Sequence, residues 1–319
     1  MTDVLAAATP QLDPLKFRDP LVTAKGEERA QVALKALETL WFNTGTLCNL
    51  TCQNCYIESS PKNDRLVYLT AAEVSRYLDE IDTLGLGTRL IGFTGGEPFM
   101  NPALPAMLED VLARGLDAIV LTNAMKPMHH KKRALLGLRA RYGNRLTLRV
   151  SLDHYGAAVH QLERGARSWT PTIDGLRWLA VNGFSLNVAS RYLSGEPEAA
   201  IRAGFRRLFA DLGIPLDADD PVALMIFPEM DTTVDVPEIT TACWGILGKT
   251  PDSVMCATSR MVVKHKDAAE PSVVACTLLP YDELWNLGPS LAGAAGPVPL
   301  NHPHCAKFCV LGGAACSRG

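Results

Sequence analysis

The sequence predicts an α/β fold of parallel strands followed by a cysteine-rich extension. Three observations carry that prediction. Six short apolar segments alternate with helix-patterned segments over residues 37–229, with no long structureless interruption. Such alternation calls for parallel strands joined by right-handed crossovers. After residue 230 the alternation stops and Cys, Pro and Gly become dense. The nine cysteines fall into two groups, 48/52/55 and 243–316, with none between Cys55 and Cys243. Periodicity leaves open whether the sheet is doubly wound or curled into part of a barrel.

The elements follow in order. "LETLWFNT" (37–44) reads as a buried strand that runs straight into the first cysteine loop. Thr70-x-x-Glu73 is a capping box opening the helix "AAEVSRYLDEIDTLG", which a glycine stops. "RLIGFTGGEP" is an apolar strand ending in a glycine pair; "NPALPAMLEDVLARGL" is the next helix and "DAIVLTNAM" the next strand. A helix over about 131–142 precedes the strand "RLTLRVSLDHY". The helix "TIDGLRWLAVNG", the strand "FSLNVASRYL", the helix "EAAIRAGFRRLFADLG" and the strand "PVALMIFPE" complete the series. Beyond it, "SRMVVKH" and "SVVACTLL" read as a two-stranded ribbon flanked by cysteines. The expected division is an N-terminal extension (1–36), an α/β domain (37–230) and a cysteine-rich domain (231–319).

Composition narrows the function classes. With 47% hydrophobic and 20% charged residues the chain is an ordinary globular protein. A net charge of −3 argues against a general electrostatic grip on nucleic acid, and the basic run His129–Arg133 reads as a solvated helix start. No segment reaches the ~18 apolar residues of a membrane span. The N-terminus lacks the basic start and apolar stretch of an export signal. A cytoplasmic setting follows, in which the cysteines are thiols or metal ligands rather than disulfides.

The first cysteine group is Cys48-x₃-Cys52-x₂-Cys55. A structural zinc site closes with four ligands, whereas this loop supplies three. Three thiolates suit a [4Fe–4S] cubane with one iron left uncapped as well as they suit zinc. The loop lies at a strand's carboxyl end, where parallel α/β folds place their chemistry.

With the aromatic Tyr56 directly after it, this triplet resembles the signature of the radical S-adenosylmethionine (SAM) superfamily. Gly95-Gly96-Glu97-Pro98 is similar to that superfamily's second motif, in the expected order and one strand later. The resemblance covers about residues 37–230 and implies a partial (β/α)6 barrel. It implies that Cys48, Cys52 and Cys55 hold three irons of a [4Fe–4S] cluster, and that the fourth iron is chelated by SAM. The Gly95–Gly96 backbone would approach the methionine amino group, with Glu97 helping to orient that end of the cofactor and Pro98 completing the cofactor-binding motif. Tyr56 would lie near the adenine. Asn123, Ser151, Asp153, Ser190 and Arg191, at the ends of later strands, fall where the family contacts the cofactor; strand-end caps and surface charge are the plainer readings of Asn123, Asp153 and Arg191. An external reductant such as flavodoxin or ferredoxin is implied as well.

The later cysteines resemble the superfamily's auxiliary-cluster extension, called SPASM in its full form and twitch in its half form. Cys256 and Cys276 bracket the ribbon, and Cys305-x₃-Cys309-x₆-Cys316 follows. Their number implies one auxiliary [4Fe–4S] cluster, on Cys256, Cys276 and two of Cys305, Cys309 and Cys316, with Cys243 a spare or alternative ligand. His302 and His304 are further candidates, and a structural zinc knob is the competing reading.

Three functions compete. One is an oxidoreductase that takes hydrogen from a small-molecule substrate through a 5′-deoxyadenosyl radical, with the auxiliary cluster as electron acceptor or substrate anchor. Another is a peptide or protein maturase. The third is a non-enzymatic iron–sulfur carrier, which would need neither the GGEP element nor six strands of scaffold. Only residues 1–36 precede the first strand, short for a separate leader-peptide-binding domain, and this favours the small-molecule substrate.

Overall fold

The computed structural model describes residues 11–229 and 231–314. In chain order the strands are β1 (Gln31–Val32), β2 (Thr39–Asn43), β3 (Leu90–Thr94), β4 (Asp117–Thr122), β5 (Leu146–Ser151), β6 (Ser185–Arg191), β7 (Leu224–Phe227), β8 (Ser259–Val263), β9 (Ser272–Val274) and β10 (Val298–Pro299). The helices are α1 (Ala71–Leu84), α2 (Leu104–Ala113), α3 (Lys126–His129), α4 (Lys132–Tyr142), α5 (Ala157–Arg164), α6 (Trp169–Val181), α7 (Glu198–Leu212) and α8 (Cys243–Leu247).

The main sheet runs β7-β6-β5-β4-β3-β2-β8-β9. Every neighbouring pair from β7 to β8 is parallel. Strands β2–β7 are the six expected from the sequence, each followed in space by its sequential neighbour. The expected ribbon also forms, with Met261 opposite Val274 in an antiparallel pair. It is not a free-standing appendage. β8 pairs in parallel with β2, Leu40 opposite Arg260, and so covers the edge that β2 would otherwise expose. The sheet therefore crosses the residue-230 boundary drawn on the sequence.

Side chains alternate across the strands as the pleat requires. Leu40 and Phe42 of β2, Ile91 and Phe93 of β3, and Val120 of β4 join the large core beneath the helices. Trp41 and Ile119 face the other way and pack with Met261, Val263 and Val274. Gly92 is required there: a Cβ would sit 2.3 Å from the Trp41 ring. α1 begins at the expected capping box, in which Thr70 accepts from the Glu73 amide and Glu73 accepts from the Thr70 amide, and Gly85 ends it in the left-handed conformation. α5 is not among the elements expected from the sequence.

A second core lies over the carboxyl end of the sheet. It gathers Val254, Cys256, Leu278, Trp285, Cys305 and Phe308 with Ala30 and Val32 from the N-terminal stretch. β1 pairs antiparallel with β10, Val32 opposite Val298. Buried Arg29 is paired with Glu238 at 2.5 Å. The described residues before β2 are thus built into the C-terminal region. Among the described residues no helix is long and apolar enough to cross a membrane.

Candidate functional site

An open cavity lies at the carboxyl ends of the strands, and Cys48, Cys52 and Cys55 line it together. The loop that carries them leaves β2 directly and is held from four directions. The Gly96 amide donates to Gly45 O at 2.9 Å, and the Glu97 amide to Leu47 O at 3.1 Å. From β4, Asn123 Nδ2 donates to Asn49 Oδ1 at 2.9 Å. From α5, the Glu163 carboxylate accepts the Asn54 amide at 3.0 Å and Asn54 Nδ2 at 2.8 Å. From the C-terminal region, Tyr281 Oη donates to Ile57 O at 2.8 Å.

Close packing explains the glycine pair. Gly95 has φ +134°, and a Cβ there would lie 2.5 Å from Gly45 O. A Cβ on Gly96 would lie 2.3 Å from Leu47 O. Any larger residue would push the cysteine loop off the β3 turn. Gly95 and Gly96 also line the cavity, so the two strands' loops meet where a ligand can touch both.

Glu97 is 2% exposed and lies behind the wall. It accepts from the Asn123 amide (2.8 Å), Thr122 Oγ1 (2.9 Å) and the Phe99 amide (3.2 Å). Burial nevertheless pushes its carboxyl up to about 7, with those three donors pulling it back down. In this arrangement Glu97 ties the β3 and β4 ends together. Pro98 is buried beside it.

Tyr56, Asn123, Ser151, Asp153, Ser190 and Arg191 all line the cavity. Asp153 is 1% exposed and its Oδ2 lies 2.6 Å from Arg164 Nε. Ser190 Oγ donates to Asp153 O at 2.8 Å. Arg191 pairs with Glu163 at 2.7 Å. The expected strand-end contacts are therefore assembled into two ion pairs facing the cysteines. Glu163 and Arg164 were not anticipated, because the expected elements pass from the strand "RLTLRVSLDHY" straight to the helix "TIDGLRWLAVNG" and leave α5 ("AAVHQLER") unassigned. Its pattern offered one signal, a run of helix formers between two glycines. Arg149, Phe227, Leu278 and Phe308 complete parts of the wall that no motif marked. Arg149 and Ser151, two apart on β5, both face inward, as period-two alternation demands.

The thiols fit an iron–sulfur cluster by their chemistry. Burial pushes Cys48 up to about 12, and Glu97, Cys52 and Cys55 add to the rise. Burial likewise pushes Cys52 up to about 11, although Arg164 opposes it. Buried thiols such as Cys48 and Cys52 become thiolates readily only against a cationic centre. Among the described residues no three His, Cys, Asp or Glu side chains close on a point suited to a single metal ion.

The second cysteine group is brought together from distant segments. Cys256 and Cys305 are buried in the second core, with Cys243, Cys276 and Cys309 packed against it. Cys256 precedes β8, Cys276 follows β9, and Cys305 and Cys309 share the π-helix Cys305–Leu311. Burial holds the Cys305 thiol well above its ordinary range, and Cys276 and Cys256 push it further. Cys243 accepts from the Thr240 amide at 3.4 Å. Cys316 lies outside the described residues. Two walls of the main cavity, Leu278 and Phe308, belong to this second core, and Phe308 stacks on Phe227 with ring centroids 5.4 Å apart.

Comparison with known proteins agrees with this layout. The Radical SAM superfamily profile matches residues 42–203. AlbA of Bacillus subtilis, an antilisterial bacteriocin subtilosin biosynthesis protein, is 28% identical over 170 residues, which is 53% of this chain and 35% of that one. The GTP 3',8-cyclase of Tolumonas auensis is 27% identical over 164 residues, 50% of this chain and 40% of that one. The chain thus spans well under half the length of these curated relatives. Among solved structures, anSMEcpe with bound AdoMet aligns with a TM-score of 0.57 at 14% identity, over 80% of this chain and 79% of that one. Streptococcus suis SuiB bound to S-adenosylmethionine aligns with a TM-score of 0.56 at 12% identity, over 78% and 62%. At such identities the likeness is one of fold.

Proposed function

The chain belongs to the radical SAM superfamily, and from that premise we propose that it takes a hydrogen atom from a substrate held between the barrel mouth and the second core. Members of the superfamily are enzymes that use a [4Fe–4S] cluster and SAM. When bound, these supply one electron and a 5′-deoxyadenosyl radical. The chain's own residues provide placement and exclusion of water. Cys48, Cys52 and Cys55 anchor the cluster, and the Gly95–Gly96 backbone borders the methionine end of SAM. Glu97 fixes the spacing of the β3 and β4 ends that flank it. The Arg164–Asp153 and Arg191–Glu163 pairs form the polar wall, while Tyr56, Phe227, Leu278 and Phe308 form the apolar one. The observation that carries this reading is that all three thiols and both glycines line one cavity whose far wall comes from the second core.

A second [4Fe–4S] cluster belongs to the proposal. Cys256, Cys276 and Cys305 are its central ligands, and Cys309, Cys316 or Cys243 supplies the fourth thiolate. The gathering of five cysteines around one core supports it. On the small-molecule reading, the substrate is held in the cavity that the cysteine loop and the second core line together. A peptide substrate is favoured by a different observation, the relationship to a bacteriocin biosynthesis protein over half the chain.

Anaerobically reconstituted protein should carry about eight irons, four per cubane. Once reduced with dithionite it should convert SAM to 5′-deoxyadenosine and methionine. Cys52→Ala should abolish the conversion. Iron-replete protein that makes no 5′-deoxyadenosine with any reductant would overturn the reading. Turnover with cell extract split into peptide and small-molecule fractions, read by mass spectrometry, separates the two substrate classes.

A further inference from the structure

The second core contains a buried cation whose partners among the described residues are backbone carbonyls. Arg260, on β8, is 1% exposed. Its Nη1 donates to Cys256 O at 2.5 Å and Ser259 O at 2.8 Å. Its Nε donates to Ala294 O at 2.9 Å, and Nη2 reaches Gly296 O at 3.4 Å. Arg29, the other arginine buried in the second core, is matched by the Glu238 carboxylate. Arg260 makes no such pair among the described residues. The acidic groups that act on it are the Cys256 and Cys276 thiols.

A guanidinium buried against carbonyls alone is costly unless a negative charge lies nearby. Carbonyl oxygens satisfy its donors without neutralising it. A [4Fe–4S] core ligated by four thiolates is a net anion, and it gains one further negative charge on reduction. A fixed cation beside it stabilises the reduced form more than the oxidised form. The side chain is also fixed in place: its carbonyl partners come from the turn of Cys256, from Ser259 on its own strand and from the Ala294–Gly296 segment, which clamp it on both sides.

We propose that Arg260 is the built-in counter-cation of the second cluster and raises its reduction potential. This rests on the second-cluster reading above. Arg260 is a positioning residue, since it touches the backbone of one ligand and acts on the reacting electron through the cluster. A raised potential suits a centre that accepts an electron from a substrate radical.

The test is a potentiometric titration of the full-length, reconstituted protein with dithionite, read by electron paramagnetic resonance of the reduced second cluster. Wild type is compared with Arg260→Gln, Arg260→Met and Arg260→Lys. The neutral variants should keep about eight irons. At a fixed potential near the wild-type midpoint, their oxidised-to-reduced ratio should rise about tenfold, a fall of about 59 mV in midpoint for one electron. Arg260→Lys should stay close to wild type. If both neutral variants lose the second cluster while Arg260→Lys keeps it, the charge itself is required, which also supports the counter-cation. An unmoved midpoint in an iron-replete neutral variant overturns the proposal. Loss of the cluster from all three variants overturns it too, by making Arg260 a staple for the Cys256 turn. Failure of the underlying reading would show first and separately, as wild-type protein holding only four irons.

Discussion

The two cysteine groups are built on opposite principles. Cys48, Cys52 and Cys55 lie within one loop, which the barrel grips from outside through Gly96, Asn123 and Glu163. The second group has no local loop. It is collected by a core that draws on α8, the segments flanking the β8–β9 ribbon, the Cys305–Leu311 π-helix and the N-terminal stretch around Val32. The counter-charges differ in the same way. Arg164 beside the first group is balanced by Asp153, whereas Arg260 beside the second is held by carbonyls. A ligand set carried on one loop can form once its strand is in place; a dispersed set exists only when the whole fold does.

The comparison can be broken most directly by removing ligands. Cys52→Ala and Cys276→Ala should each halve the iron from about eight to about four. Only the first should abolish 5′-deoxyadenosine formation. Loss of all iron from either variant, measured by metal analysis, would mean that the two regions do not assemble independently.

The next effect is on the dispersed region alone. Glu238→Ala strands Arg29 as a buried, unpaired cation and should cost about 3–5 kcal/mol, read from a denaturant midpoint. Iron should be lost from the second group first. For the loop region, Glu97→Ala leaves the Asn123 amide, Thr122 hydroxyl and Phe99 amide without their acceptor, and should cost about 3 kcal/mol. SAM binding by equilibrium dialysis should weaken in parallel.

A smaller effect is pH-dependent. His160 on α5 is fully buried, and its ring meets Trp169 edge-on with centroids 5.6 Å apart. Burial lowers its pKa to about 4, Arg164 assisting and Asp153 opposing. Between about pH 6.5 and that value the unfolded chain binds a proton that the folded chain refuses. Stability should therefore fall as pH drops through this window, by on the order of 3 kcal/mol. His160→Phe should flatten that dependence when thermal midpoints are compared across the window; an equal slope in the variant would remove His160 as its source. The smallest expected change is Thr70→Ala, about 1 kcal/mol for the lost α1 cap, with the iron content untouched.

What the sequence determined by itself is what depends on near neighbours. The capping box of Thr70 and Glu73, the six parallel strands, the glycine pair and the three-cysteine loop are each set by residues a few positions apart. The β8–β9 ribbon was legible for the same reason. Its docking on β2 was not, because parallel pairing with a strand more than two hundred residues earlier leaves no trace in local periodicity. α5 was missed between two glycines, and with it the Glu163 and Arg164 side chains that grip the cysteine loop and face Asp153. Tertiary structure alone decided which strand-end residues pair with one another, that Glu97 serves as a tie behind the wall, and that Leu278 and Phe308 close the cavity. It also placed Arg260, held by backbone carbonyls, beside the second cysteines. The physical reason is the same throughout: hydrogen-bond periodicity and turn geometry are short-ranged and written in adjacent residues, whereas burial and charge pairing are settled only when distant segments exclude water together.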